Sequence, residues 1–302
     1  MSRPEHIAPP EVFYNPLEAQ KYTSNSRVQS IQAEMTYRCL ELLDLPTEEH
    51  FDEEGEPSSV PTQAYLLDIG AGSGLSGEIL TEEGHHWVGM DVSGGMLEVA
   101  LDREVEGDLF LADIGQGIPF RPASFDGAIS VSVLQWLCNA DATSHSPSQR
   151  LLRFFTDLFG CLKKGARAVF QFYPESDEQA SFIMGYATKA GFGGGLCVDY
   201  VSASKPNSSK KKKFYLILFA GQPLSGPKPA MPEPLTDENP SRVGFEQQRQ
   251  RLKIKSRGKG KKGGVVKDLD WILRKKELYR KRGKADVPRD SKYTARKRKV
   301  RF

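Results

Sequence analysis

The residues best suited to chemistry lie in one short stretch of this 302-residue chain, Tyr65-Leu-Leu-Asp-Ile-Gly-Ala-Gly-Ser-Gly-Leu-Ser-Gly77. An apolar run bounded by glycine suits a strand covered on both faces. Gly70, Gly72 and Gly74 let the backbone turn sharply and approach a ligand closely, because they lack a Cβ. The helix that follows turns its free N–H groups toward that ligand. Such a loop holds a nucleotide-type cofactor. A dinucleotide loop, G-x-G-x-x-G/A, would need Gly or Ala where Leu75 stands. Instead an acid, Asp68, precedes the first glycine. A carboxylate at the carboxyl end of a strand suits a cationic cofactor better than a pyrophosphate. Taken alone, the loop leaves an NAD site or a generic α/β turn as the competing reading.

The Asp68-x-Gly70-x-Gly72-x-Gly74 pattern resembles motif I of class I methyltransferases. Their cofactor, S-adenosylmethionine, carries a sulfonium and an ammonium and no phosphate. Three further strands follow in order. His86-Trp-Val-Gly-Met-Asp91 ends in an acid of the kind that holds ribose hydroxyls, which supports the fold more than the choice of cofactor. Leu109-Phe-Leu-Ala-Asp113-Ile114 ends in an acid and an apolar residue, which the resemblance sets against the adenine amino group and ring. Phe125 to Ser132 is the fourth strand. The resemblance implies cofactor contacts from Asp68, Gly70, Gly72, Gly74, Asp91, Asp113, Ile114 and Ser130.

Methyl transfer is an in-line displacement with a good leaving group. The enzyme chiefly holds nucleophile and methyl ~3–3.5 Å apart and excludes water. After the fourth strand the chain reads Ser130-Val-Ser-Val-Leu-Gln-Trp-Leu137. The double proline usual in exocyclic-amine methylases is missing, as is the Pro-Cys of base-carbon methylases. A ring nitrogen such as guanine N7 has a free lone pair and no proton to lose, so no catalytic base is expected. Trp136 can stack on a base, a contact worth ~1–3 kcal/mol, or pack beside the cleft. Trp136, Gln135 and Tyr22 are the substrate-positioning candidates.

These residues need a sheet to align them. A helix from Ser26, capped by that serine, to about Leu45 places Val28, Ile31, Met35 and Leu42 on one face. It would cover the cleft, with Tyr22 and Arg27 as a lid. Residues 1–25 read as irregular and 47–62 as an acidic loop. Helices follow over 74–83, 95–103, 147–162 and 177–190, with a fifth strand over 165–173. Segments 195–200 and 214–220 pair as a final hairpin. The fold class is α/β, a Rossmann-like three-layer sandwich with a mostly parallel sheet and one antiparallel strand. The expected organisation is an N-terminal lid and helix over 1–62, the methyltransferase domain over 63–221, and a linker and basic, largely disordered tail over 222–302.

Charge divides the same way. Residues 226–302 hold 25 Lys/Arg against 9 Asp/Glu, a net of +16, and the remainder nets −13. A basic tail marks a nucleic-acid partner or a nuclear address. Lys210 to Lys213 in the hairpin loop are solvated charges or an RNA contact. The four cysteines form no C-x-x-C pair, so neither a metal site nor a disulfide framework is expected. No apolar run approaches the ~20 residues of a membrane span, and the first residues lack a secretory apolar region.

Together these stretches resemble the eukaryotic small-subunit (18S) rRNA guanine-N7 methyltransferases. The likeness rests on motif I and on Pro9-Pro-Glu-Val-Phe-Tyr-Asn15, Lys21-Tyr-Thr and Arg27-Val-Gln-x-Ile-Gln-Ala33. It rests equally on Ser130-Val-Ser-Val-Leu-Gln-Trp136 and Asp290-Ser-Lys-Tyr-Thr-x-Arg-Lys-Arg298. It implies methylation of one guanine in the small-subunit rRNA of the pre-40S particle. It also implies a small zinc-binding activator subunit, and action in the nucleus, nucleolus and nucleoplasm, with the cytoplasm as a further site. An apolar edge strand over 107–112 is the expected seat of the activator. The basic tail is the expected ligand of an import receptor. Two readings compete: a small-molecule methyltransferase with an import tail, and a non-catalytic assembly factor that retains the fold.

Overall fold

The computed structural model describes residues 3–51, 57–140, 145–200, 212–221 and 230–235, with Lys276, Arg280 and Arg289. The chain divides into two units, Met1–Ser241 and Arg242–Phe302. In the second, Lys276 and Arg280 are helical. The other expectations for the basic tail, and those for Lys210 and Lys211, lie outside the described residues.

The first unit opens with three helices, α1 (Pro10–Phe13), α2 (Pro16–Ser24) and α3 (Ser26–Leu43). A hairpin follows, β1 (Thr47–Phe51) and β2 (Pro57–Pro61). Then come β3 (Tyr65–Ile69), α4 (Leu75–Glu82), β4 (His86–Asp91), α5 (Gly94–Asp102), β5 (Asp108–Leu111) and β6 (Phe125–Val131). The unit closes with α6 (Pro147–Cys161), β7 (Leu162–Phe172), α7 (Asp177–Lys189), β8 (Gly193–Tyr200) and β9 (Lys212–Phe219).

The main sheet has the order β5-β4-β3-β6-β7-β9-β8. Strands β3 to β7 run parallel, and β9 is antiparallel to both of its neighbours. The expected architecture is therefore present. Alternation along a strand sends successive side chains to opposite faces. Leu67 and Ile69 accordingly join one core with Phe154, Phe155 and Leu158 of α6. Leu66 joins the other, with Met35 and Leu42 of α3 and Leu80 of α4. Two buried cores on one sheet make the three layers.

Three local expectations need correction. Residues 1–25 are not irregular: Pro10 and Pro16 each open a helix, where their missing N–H is no loss. Asn15 accepts from the Leu17 and Glu18 N–H groups, both at 3.1 Å. The cap of α3 is Asn25, not Ser26, and the helix stops at Leu43 because Asp44 turns left-handed at φ 50°. Residues 47–62 contain the hairpin, in register from Thr47↔Pro61 to Phe51↔Pro57. Its two strands pair with each other and not with the main sheet, so they need no alternating apolar pattern.

Residues 230–235, expected within the linker, lie against β8. Tyr200 N–H donates to the Leu235 carbonyl (2.9 Å), and Leu235 N–H donates to Asp199 Oδ1 (2.8 Å). Asp199 also accepts two bonds from the buried Arg38 of α3, at 2.8 and 3.2 Å.

Candidate cofactor and substrate site

At the carboxyl end of β3 the chain enters the glycine loop with φ of 76° at Gly70, 54° at Gly72 and 78° at Gly74. A Cβ on Gly70 would fall 2.1 Å from Val133 Cγ2. Only glycine meets both demands. The loop is braced from β4: Gly70 and Ala71 N–H donate to the Met90 carbonyl at 2.7 and 3.0 Å.

A cavity opens above this loop. Gly70, Gly72, Ser73, Asp91, Asp113 and Ile114 line it, and Tyr14, Tyr22, Trp136 and Arg150 close it. The Ser73 hydroxyl is buried and finds no hydrogen-bond partner among the described residues. Asp91 Oδ2 accepts from Gly72 N–H and Oδ1 from Ser93 N–H, both at 2.8 Å. Burial pushes its carboxyl upward, and these backbone bonds oppose the shift. Asp113 is held by two bonds from Arg150 at 2.9 Å and by Gly115 N–H at 2.9 Å. Ala112 and Ile114 give the wall beside it apolar surface. A carboxylate beside the glycine loop, an apolar slot next to an acid, and an unmatched buried hydroxyl fit S-adenosylmethionine.

Four of the residues predicted to contact cofactor or substrate do not line this cavity. Asp68 is buried beneath the loop, where Oδ2 accepts from the Ser76 hydroxyl at 2.5 Å. Its Oδ1 has no partner among the described residues. Burial, with a smaller contribution from Asp91, pushes this carboxyl up to about 7, against the bond from Ser76. Ser130 donates to the Ile69 carbonyl at 2.7 Å and ties β6 to β3. Gln135 is buried and donates to the Ser132 carbonyl at 3.0 Å. Gly74 begins α4, with its missing Cβ facing Val105. All four shape the site from behind its wall.

The N-terminal segment closes the cleft. The Tyr14 ring lies 6.0 Å from Trp136 and 5.8 Å from Tyr22, and Phe13 lies 6.3 Å from Trp136. The Tyr22 hydroxyl accepts from Gln32 Nε2 at 2.7 Å. Burial pushes the Tyr14 phenol up to about 12 and the Tyr22 phenol higher still. Neither is a base near neutral pH. Arg27, expected in the lid beside Tyr22, does not line the cavity. The segment is fixed to α5: Ser93 Oγ donates to the Tyr14 carbonyl at 2.8 Å, and a Cβ on Gly95 would fall 2.8 Å from that oxygen. Farther along, Arg3 bonds the Tyr173 and Pro174 carbonyls, and His6 pairs with Glu175.

Sequence reasoning missed Tyr14, Ser132 and Arg150. Tyr14 sits within residues 1–25, expected to be irregular. Ser132 lines the cavity with φ 66°, a left-handed conformation that no residue type announced. Arg150 lies in α6, an expected helix to which no site residue was assigned.

Comparisons with known proteins agree with this geometry. Residues 67–170 match the family described as "Methyltransferase domain". Residues 218–300 match the one described as "Methyltransferase involved in Williams-Beuren syndrome". The chain is 51% identical over 303 residues to the 18S rRNA (guanine-N(7))-methyltransferase of Mus musculus, covering 99% of this chain and 98% of that one. It is 48% identical to the protein of that activity from Arabidopsis thaliana, covering 100% and 99%. It is 51% identical to the 18S rRNA (guanine(1575)-N(7))-methyltransferase of Saccharomyces cerevisiae, covering the whole of both. With likeness running from end to end of both chains, this protein belongs to the family of 18S rRNA (guanine-N(7))-methyltransferases.

Proposed function

We propose that this chain transfers the methyl group of S-adenosylmethionine to N7 of a guanine in small-subunit rRNA, within the maturing pre-40S particle. The observation that carries this reading is the identity of about one half, along the full length, to relatives named for that activity. The cofactor supplies an activated methyl on a cationic sulfur. Asp91 would hold its ribose hydroxyls, Ala112 and Ile114 would take the adenine, and Gly70 to Ser73 would seat the amino-acid end. Tyr14, Tyr22 and Trp136 exclude water and offer aromatic faces to the incoming base. Guanine N7 loses no proton, and the cavity phenols titrate far above neutrality, so the chemical step needs no base. At saturating cofactor, the single-turnover rate should not climb as pH rises above neutral. A log-linear climb would mean that a proton leaves the nucleophile.

RNA approach is supported by charge placement. The start of β9 lies beside the end of β7, at the carboxyl end of the parallel strands. Lys212 and Lys213 stand there, with Lys213 bonded to the Tyr173 hydroxyl at 2.7 Å.

The activator reading is supported by β5. It is an edge strand, and Phe110 and Leu111 are 42% and 65% exposed. Such an edge is a liability until another strand covers it. A small zinc-binding subunit docks there in this reading. Leu111→Asp should abolish co-purification without unfolding the domain, whereas undiminished co-purification would remove the edge from consideration. Arg296-Lys-Arg-Lys299 supports capture by an import receptor and action in the nucleus, nucleolus and nucleoplasm, with the cytoplasm as a further site. Deleting residues 290–302 should leave a fluorescent fusion outside the nucleus; unchanged nuclear signal would discard that address.

The enzymatic reading is tested with Asp91→Ala in cells lacking the native protein. Loss of the rRNA methyl group is expected. A methyl group still present at full occupancy would point to a scaffold beside another enzyme.

A further inference from the structure

Three carboxylates line the cavity: Glu11, Asp91 and Asp113. Two are already engaged, Asp91 with Gly72 and Ser93, and Asp113 with Arg150 and Gly115. Glu11 makes no hydrogen bond or ion pair to another described residue. It is exposed, on the outer rim of the cavity, and belongs to α1 rather than to the sheet that carries the glycine loop. Its mount is nonetheless tied to the rest of the site. Pro10 opens the helix, Phe13 and Tyr14 lie against Trp136, and the Tyr14 carbonyl is held by Ser93.

We infer that Glu11 reads the Watson–Crick edge of the target guanine. This deepens, and rests on, the proposed function. Guanine presents two adjacent donors, N1–H and the N2 amino group. A carboxylate presents two adjacent acceptors, and charge strengthens both bonds. Adenine offers an acceptor at N1 and is repelled. N7 lies on the opposite side of the purine from N2. A guanine whose N7 faces the glycine loop therefore turns N1 and N2 outward, toward the rim where Glu11 stands. The faces of the base meet the aromatic residues of the mouth. An anionic acceptor on N1–H also pushes electron density into the ring and makes N7 a better nucleophile. A site built to satisfy a substrate N–H rejects analogues that lack it.

The test uses the full chain co-expressed with its activator, as wild type, Glu11→Gln and Glu11→Ala. The modified guanine is first mapped with wild type. RNA fragments are then made with guanosine or inosine at that position; inosine lacks only the N2 amino group. Single-turnover methylation and cofactor affinity by calorimetry are measured for each pair. Wild type should prefer guanosine by about tenfold or more, the loss expected for one charge-assisted bond. Both variants should lose most of that preference and methylate guanosine about ten- to hundredfold more slowly. Their cofactor affinity should stay within about twofold of wild type, which also shows that they fold. An unchanged guanosine preference in the variants would overturn the inference. So would a matching loss of cofactor affinity, which would assign Glu11 to the cofactor's ammonium. A wild-type chain that methylates neither RNA would remove the proposed function itself, and this inference with it.

Discussion

Asp68 carries a pH signature that can be measured apart from activity. Its carboxyl sits at about 7 when folded, against an ordinary 3.8. The folded state therefore holds a proton that the unfolded state has lost between these values, so stability falls as pH rises from about 4 to about 7. Asp68→Asn keeps the neutral shape at every pH. Its melting temperature relative to wild type should rise across that window and level off above it; a constant difference would mean that Asp68 is ionised throughout. Gly70→Ala sets a left-handed backbone and a 2.1 Å clash with Val133 against the fold. It should cost about 1–3 kcal/mol in urea denaturation, and an unchanged midpoint would contradict the loop geometry. At this scale the glycines and the strand-end acids were legible because their chemistry is tied to residue type. The burial of Asp68 beneath the loop was not legible, because a motif fixes spacing along the chain and not which side of a wall a side chain takes.

Elements differ in how they announce themselves. The strands of the main sheet stand out as apolar runs, and α3 by apolar residues at helical spacing. Helices α1 and α2 do not, because they are short, and α2 rests on its Asn15 cap and on contacts with α5 rather than on an apolar stripe. Those contacts govern the closed cleft. Gly95→Ala would press a methyl group against the Tyr14 carbonyl and lift the segment. Faster proteolysis near residue 15 and weaker cofactor binding are expected; unchanged values of both would show that the segment is held elsewhere. The Arg38–Asp199 pair also spans elements that no local pattern could join, α3 and β8. Asp199→Ala leaves the buried Arg38 with Glu41 and the Glu233 carbonyl as its partners and releases the Leu235 N–H. A loss of about 3–5 kcal/mol is expected, and a loss below about 1 kcal/mol would mean that water readily replaces the carboxylate.

The whole molecule couples an acidic domain to a basic tail, and the unit boundary after Ser241 falls close to that change of charge. Deleting residues 242–302 should leave cofactor affinity intact, weaken RNA binding and flatten its dependence on salt. Full RNA affinity in the truncated chain would shift recognition to the cleft and the β9 lysines. The measurement that bears most directly on function is methyl transfer from labelled S-adenosylmethionine to deproteinised small-subunit rRNA, with the proposed activator subunit present, followed by borohydride–aniline cleavage. Strand scission at one guanine is the predicted result. Incorporation of label without scission would contradict methylation at N7.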